Sequence, residues 1–298
     1  MTSKKLREKT KMFQETILLF YKQQGRELPW RRTTDPYKIL VSELMLQQTQ
    51  VDRVIPKYEA FLEAFPSPRA LHDAPLADVL ALWQGLGYNR RAKYLWQAAS
   101  LFLRFPKPSF EQLVDLKGVG EYTAAAVCAF AYNKDVAAVD VNVRRVFNRF
   151  FGAVNDEFIA KRVPFGRSRD WHNALMDFGS LVCTKRNPSC ATCRLSESCH
   201  AFQNNTFADE PTRSQKTFLG SVRWHRGQLL KAVLKSPVSF EKYWSSLNRD
   251  HRNHEFASIA AKQLVSEGLV LLNGSLFCAP LQSESTSVHS KSRHQHQS

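Results

Sequence analysis

Leu116-Lys117-Gly118-Val119-Gly120 runs directly into Glu121-Tyr122-Thr123-Ala124-Ala125-Ala126. Two glycines at two-residue spacing let the backbone turn sharply and come close to a ligand. A helix of small residues starts straight after them, so its free N–H groups and the positive end of its dipole face outward. Such a turn is a seat for a phosphate, built from Lys117, Gly118, Val119 and Gly120. It grips a nucleic-acid backbone and reads no bases. Upstream, Phe110 to Asp115 reads as a short helix, so the unit is helix, tight turn, helix. A plain connection between two packed helices is the alternative, since a lone Gly-x-Gly is a weak signal.

Working outward, the first two-thirds of the chain reads as almost all helix. Apolar pairs at Met12-Phe13, Ile17-Leu18 and Phe20-Tyr21 recur at helical spacing, and Leu28-Pro29-Trp30 is a turn. Asp35-Pro36 is a helix start, with Asp as N-cap and Pro at the first helical position. That helix is expected to run through Ser42, Glu43 and Leu46 to about Gln50. Ser67-Pro68 and Ala74-Pro75 punctuate the next helices, and Gly85-Leu86-Gly87 breaks the chain before a helix over Arg90 to Phe102. Downstream of the glycine turn comes Val139-Asp140-Val141-Asn142-Val143-Arg144-Arg145, where Asp140 reads, on its own, as another N-cap. Short helices on short connections indicate an all-α body.

Of the 298 residues, 42 are Lys or Arg and 27 are Asp or Glu, a formal net charge of +15. A surplus of this size points to a polyanionic partner. Residues 201–298 hold 12 of the basic and 7 of the acidic residues, so both parts of the chain carry the excess. No apolar run approaches the roughly 18 residues that a membrane span requires. Met1 to Lys11 is charged and lacks the apolar stretch of a secretory signal, which favours the cytoplasm and an association with the nucleoid.

Six cysteines are present, and four of them form Cys183-x6-Cys190-x2-Cys193-x5-Cys199. A cluster this tight in such a chain reads as a metal site and not as a disulfide framework. Four thiolates hold either a tetrahedral zinc or a 4Fe-4S cube. Zinc ribbons pair two close Cys-x2-Cys knuckles, whereas here only one pair is that close, so the spacing leans to the cube. Lys185, Arg186 and Arg194 lie inside the loop as candidate phosphate contacts. Beyond a polar linker at 203–217, the chain changes character. Leu229 to Leu234, Phe240 to Leu247 and Phe256 to Leu264 read as three helices. Leu269 to Leu272 and Ser275 to Cys278 flank Asn273-Gly274, a strong hairpin signal. Three helices and a hairpin make a small winged-helix-like module over 218–282. There Arg223, Arg226, Lys231 and Lys262 are candidate DNA contacts. A Ser- and His-rich tail at 283–298 is expected to be disordered.

Taken together, the glycine turn resembles the helix-hairpin-helix motif, and the cysteine loop is similar to that of endonuclease III and MutY. Leu28-Pro29-Trp30-Arg31, Ser42 to Val51, Gly85-Leu86-Gly87-Tyr88 and the Asp177-Phe178-Gly179 run into Cys183 resemble MutY-like adenine DNA glycosylases, over roughly residues 10–205. The resemblance implies a mainly α, two-lobed helix-hairpin-helix DNA glycosylase fold over 1–202. It also implies a 4Fe-4S cluster held on Cys183, Cys190, Cys193 and Cys199. The protein is then a monomer acting on double-stranded DNA that contains a mispaired or damaged base. Glu43 is implied as the acid that protonates adenine, and Asp140 as the anion facing the cationic sugar, with Tyr122 and Asn142 in support. Trp30, Arg31 and Leu46 match the wall of the base pocket, and Gln48 and Tyr88 the residues that wedge into the duplex.

Tyr122 stands where relatives with lyase activity carry the lysine that forms a Schiff base. The resemblance therefore implies a monofunctional enzyme that removes adenine opposite oxidised guanine or guanine and leaves an abasic site. A G:T or G:U mismatch thymine/uracil glycosylase is the alternative, since that branch also carries tyrosine here but lacks the Glu43 acid. A non-catalytic iron–sulfur DNA-binding protein is a third reading, which would need neither Glu43 nor Asp140. The chain departs from the pattern at Asn89, where many relatives have tyrosine, and at Asn173, where a longer Gln or Glu helps hold the base. Where typical relatives carry a Nudix-like C-terminal domain that reads oxidised guanine, the segment after 217 is expected to be winged-helix-like instead.

Overall fold

The computed structural model describes residues 3–207 and 217–280. Most of the expected linker (208–216) and the expected tail lie outside the described residues. The chain divides into two units, Met1–His72 with Leu82–Phe218, and Asp73–Ala81 with Leu219–Ser298. The sequence reading assigns Asp73–Ala81 to the domain over 1–202, whereas the structure groups it with the C-terminal segment.

In the first unit, α1 (Ser3–Gln24) is followed by a 3-10 turn at Pro29–Arg31, then α2 (Pro36–Leu46), α3 (Val51–Ala64) and α4 (Pro68–Asp73). Next in the chain is α5 (Leu76–Leu82), which belongs to the second unit up to Ala81; the first unit resumes with α6 (Arg90–Arg104), α7 (Phe110–Val114) and α8 (Glu121–Tyr132). The remainder is α9 (Val141–Phe151), α10 (Asp156–Ala160), α11 (Ser168–Leu181) and the short α12 (His200–Gln203). None of these helices is long and apolar enough to cross a membrane among the described residues.

Local chemistry sets the helix starts. The Asp35 carboxylate accepts from the Tyr37 N–H at 2.9 Å, with Pro36 at the first helical position. Ser109 and Gln112 form a reciprocal capping box at α7. Asp140 caps α9, accepting from the Val143 N–H at 2.7 Å. The expected helix from Asp35 to about Gln50 is shorter than the sequence implies. It stops at Leu46, and Gln48 adopts a left-handed conformation with φ 56° before α3 begins. The reason is tertiary: the guanidinium of Arg91, from α6, takes the carbonyls of Leu44, Met45 and Gln47 at 2.6, 3.0 and 2.6 Å.

Packing sorts these helices into two groups. In one, α1 and α9 lie against α11 around Phe13, Ile17, Phe147, Phe150, Trp171 and Leu175. In the other, α2 packs on α3, α6 and α8, and α7 packs on α8. Helix α8 is buried from Thr123 to Ala131, and its run of alanines lets neighbours come close on every side.

The second unit holds α13 (Val222–Val233), β1 (Val238–Ser239), α14 (Phe240–Ser245), α15 (His254–Ser266), β2 (Leu271–Asn273) and β3 (Leu276–Cys278). Helix α13 packs on α15. The strands form an antiparallel sheet in the order β1-β3-β2, and β1 is an element the sequence reading missed. The hairpin turn sits one residue later than read. Asn273 pairs with Leu276, which leaves Gly274-Ser275 as the two-residue loop. Gly274, at φ 58°, takes the first central position, where a II′ turn requires glycine. Arg226 is committed inside the unit, donating to both carboxylate oxygens of Glu267 and to Gln263.

The glycine turn between α7 and α8 tests the packing. Gly118 has φ 82°, and a Cβ there would lie 2.4 Å from the ring of Tyr94. Gly118→Ala is expected to cost about 1–3 kcal/mol through strain and collision. A urea or thermal melt unchanged from the parent would show that this turn has slack.

Candidate active site

A cleft of about 710 Å³ opens in the first unit between α2, the first turn of α8, the N-terminus of α9 and α11. Glu43, Tyr122, Asp140 and Asn142 all line it, as do Trp30, Arg31, Leu46 and Gln48. Tyr88 lies outside this lining, on the neighbouring turn, and is 47% exposed. The structure thus brings Glu43 together with Tyr122 and Asp140, which lie some eighty to a hundred residues later in the sequence.

Glu43 is 7% exposed on a helix buried from Tyr37 to Met45, except for Lys38. Burial pushes its carboxyl up to about 7, and the charge of Asp140 adds to this. A hydrogen bond from the Tyr122 hydroxyl acts in the opposite sense without cancelling it. Tyr122 is itself raised, first by burial and then by the two carboxylates. The cleft thus holds a carboxyl that keeps its proton near neutral pH beside a second carboxylate with its own donors. Asp140 accepts from Asn142 Nδ2 at 2.8 Å as well as from Val143 N, at the positive end of α9. Asn142 is oriented in turn by Arg145, whose Nη2 donates to its Oδ1 at 2.7 Å and to the Gly179 carbonyl at 2.6 Å.

Several groups that shape the cleft carried no clear sequence signal. Asp177 is fully buried and takes both forks of Arg31, at 2.7 and 2.8 Å, together with the backbone N–H and Nε of Arg26. Burial alone would raise its pKa, but these donors hold it below the usual value. Arg31, expected in the pocket wall, therefore lines the cleft with its charge spent on Asp177. His172 accepts from the Ala138 N–H at 3.0 Å and faces the Ser168 carbonyl through Nδ1, fixing the approach to Asp140. Burial lowers its pKa to about 4, so it stays neutral. Val141, beside Asp140, is 70% exposed at the edge of the cleft. Asp177 stands in a run that carries the family resemblance, but without a role assigned to it, and His172 offers no signal beyond its residue type.

In the glycine turn, Lys117, Gly118 and Gly120 are exposed. Val119 differs from its expected part: its side chain is buried and its N–H bonds to the Leu116 carbonyl at 3.1 Å, so it braces the turn from within. Gln47 ties the turn to the cleft, reaching the Gly118 carbonyl at 3.3 Å.

The four cysteines of the 183–199 loop line one small pocket, and none is in a disulfide. Burial, followed by the neighbouring cysteines, pushes the thiols of Cys190 and Cys193 up. Arg149 holds the loop through the carbonyls of Thr184 and Lys185 at 2.7 and 3.0 Å, and Cys199 Sγ donates to the Arg149 carbonyl. Among the described residues, no three metal-ligating side chains converge on a single ion.

A protein with a glycine hairpin between helices and a carboxyl pair in the adjoining cleft is of the helix-hairpin-helix class. Residues 41–162 match the HhH-GPD superfamily base excision DNA repair proteins. An adenine DNA glycosylase of Mycolicibacterium smegmatis is 38% identical over 235 residues, 74% of this chain and 80% of that protein. One from Buchnera aphidicola subsp. Baizongia pistaciae is 37% identical over 211 residues, 66% of this chain and 60% of that protein. This chain thus matches less than two-thirds of the Buchnera relative's length. Among solved structures, a thermostable thymine-DNA glycosylase superposes with a TM-score of 0.63 at 33% identity, over 67% of this chain and 99% of that one. The chain belongs to the HhH-GPD superfamily of base excision DNA repair proteins.

The burial of Glu43 has a thermodynamic consequence. The unfolded carboxyl loses its proton near 4.5, the folded one near 7. The folded state therefore binds more protons in that window, and stability falls as pH rises through it. Glu43→Gln removes this penalty and should raise the unfolding free energy at pH 8 by up to about 3 kcal/mol. The gain should vanish below pH 4.5. Melts that shift equally at pH 4 and pH 8 would contradict the assignment.

Proposed function

We propose that the protein is a monofunctional DNA glycosylase that hydrolyses the N-glycosidic bond of adenine mispaired with oxidised guanine or guanine. The observation that carries this reading is the buried Glu43, with its pKa near 7, in one cleft with Tyr122 and Asp140. Adenine leaves the sugar readily only after a ring nitrogen is protonated, and a carboxyl that holds its proton near neutral pH is suited to that step. As the bond to C1′ breaks, positive charge builds on the sugar, and the Asp140 carboxylate, fixed by Asn142 and Val143, is the group to face it. Water then adds its hydroxyl to C1′, releasing a proton, and an abasic site remains. Tyr122 offers a hydroxyl where a Schiff base would need an amine, which supports hydrolysis without strand cleavage.

The substrate must leave the stack to reach this cleft. Gln48 and Tyr88, both exposed and both left-handed, are the residues we assign to the gap. The exposed Lys117, Gly118 and Gly120 and the start of α8 supply the phosphate seat. Duplex DNA is accordingly the partner. Four unpaired thiols around one pocket fit a 4Fe-4S cluster on Cys183, Cys190, Cys193 and Cys199, which would supply a rigid cross-link closing the loop that Arg149 braces.

A thymine or uracil mismatch activity is the second reading, favoured by the 33% identity to the thymine-DNA glycosylase structure. Thymine and uracil depart as stabilised anions and gain less from an acid, so Glu43 weighs against it.

One assay separates the two. Duplexes with A opposite oxidised G, A opposite G, T opposite G and U opposite G are incubated with the protein and resolved with and without alkali. Cleavage at A that appears only after alkali is expected; no excision of A from any duplex would sink this reading. Under single-turnover conditions the rate should fall as pH rises through about 7, because Glu43 must hold its proton to act. Glu43→Gln should reduce it by about 10²–10⁴-fold. A flat pH profile, or an active Gln variant, would remove Glu43 from the chemistry. Metal analysis of purified protein should give about four irons per chain and a visible charge-transfer absorption. Zinc in place of iron would refute the cluster.

A further inference from the structure

The two turns that carry Gln48 and Tyr88 are bound into one body by a single buried side chain that takes no part in the chemistry above. Arg91, in the first turn of α6, is 6% exposed. Its Nη1 donates to the carbonyls of Leu44, Met45 and Gln47, and its Nη2 to those of Leu86 and Gly87, both at 3.1 Å, and to Thr49 Oγ1 at 3.2 Å. The hydroxyl of Thr49 lies 3.3 Å from the Leu86 carbonyl, so that carbonyl is held by Arg91 and by the turn that carries Gln48. The guanidinium also lies 5.4 Å from the centre of the Tyr88 ring.

Left-handed backbone is costly for Gln and Tyr alike, and it appears here at φ 56° and 47°. Two such residues, on separate turns, share one clamp. A charged guanidinium with six oxygen acceptors uses its planar fork to fix both turns at once, which a lysine's point charge cannot reproduce.

We propose that Arg91 is a positioning residue that couples Gln48 and Tyr88 into one two-pronged wedge, so that both enter the duplex together when the target base leaves it. This rests on the assignment of those two residues to the gap. If the prongs are one body, removing either loses most of what the pair supplies. If they are independent, their losses multiply.

The test uses the full chain and a duplex with 2-aminopurine next to the adenine opposite oxidised guanine. It reads the fluorescence step on base opening and the single-turnover excision rate. Gln48→Ala, Tyr88→Ala and the double variant are made in the parent, in Arg91→Lys and in Thr49→Val. In the parent, the double variant is expected to be little worse than the poorer single one. In Arg91→Lys the opening step should slow by roughly ten- to a hundredfold, and the remaining effects of positions 48 and 88 should multiply. Thr49→Val removes the cross-turn hydroxyl and with it one of the six acceptors of Arg91, leaves the Arg91 bonds to the five carbonyls, and should shift the cycle in the same direction. Melts on each variant separate a loss of fold from a loss of coupling, since lowered stability alone does not change additivity. Effects that multiply already in the parent, or an unchanged cycle in both Arg91→Lys and Thr49→Val, would overturn the coupling alone. If Gln48→Ala and Tyr88→Ala each leave the opening step unchanged, the wedge assignment falls and the coupling falls with it.

Discussion

The contact of α2 with α8 is the constraint on which the site depends. It removes Glu43 from water without supplying a basic partner, and sets the Tyr122 hydroxyl beside it. A carboxyl in that position is costly while ionised, so the fold accepts a local loss of stability in exchange for a proton held near neutral pH. The close approach is possible because α8 presents alanines at 124, 125, 126 and 129. Larger residues would separate the helices and let water reach the carboxyl.

Buried and half-buried arginines do much of the remaining positioning, several of them through backbone carbonyls. Arg91 ends α2 and holds two turns, Arg145 links Asn142 to the Gly179 carbonyl, and Arg149 ties α9 to the cysteine loop. Arg31 and Arg26 neutralise Asp177 at the foot of the cleft. A guanidinium suits this work because its forked donors satisfy several carbonyls at fixed angles. The basic surplus of the chain thus has two destinations. Some of these charges are spent inside the fold, and exposed ones such as Lys117 and Arg194 remain for a polyanion.

The second unit has the order of helices and hairpin that its sequence suggested, but its charge is less available than the count implied. Arg226 is closed onto Glu267, and the tip of its hairpin, residues 271–276, carries leucines and no cation. Of the expected set, Lys231 and Lys262 are exposed.

What the sequence determined by itself was local. The glycine turn and the caps at Asp35 and Asp140 each rest on neighbours within a few residues, and each is where its reading put it. The candidate site was legible only because its motifs resemble a known family. Glu43, Tyr122 and Asp140 carry no local mark of belonging together. Tertiary structure decided the rest. It ended α2 at Leu46 through Arg91, forty-five residues away, moved the hairpin turn to Gly274-Ser275 through strand register, and turned Val119 inward. It also set the acidity of Glu43, since desolvation belongs to the surroundings of a carboxyl and not to the residue.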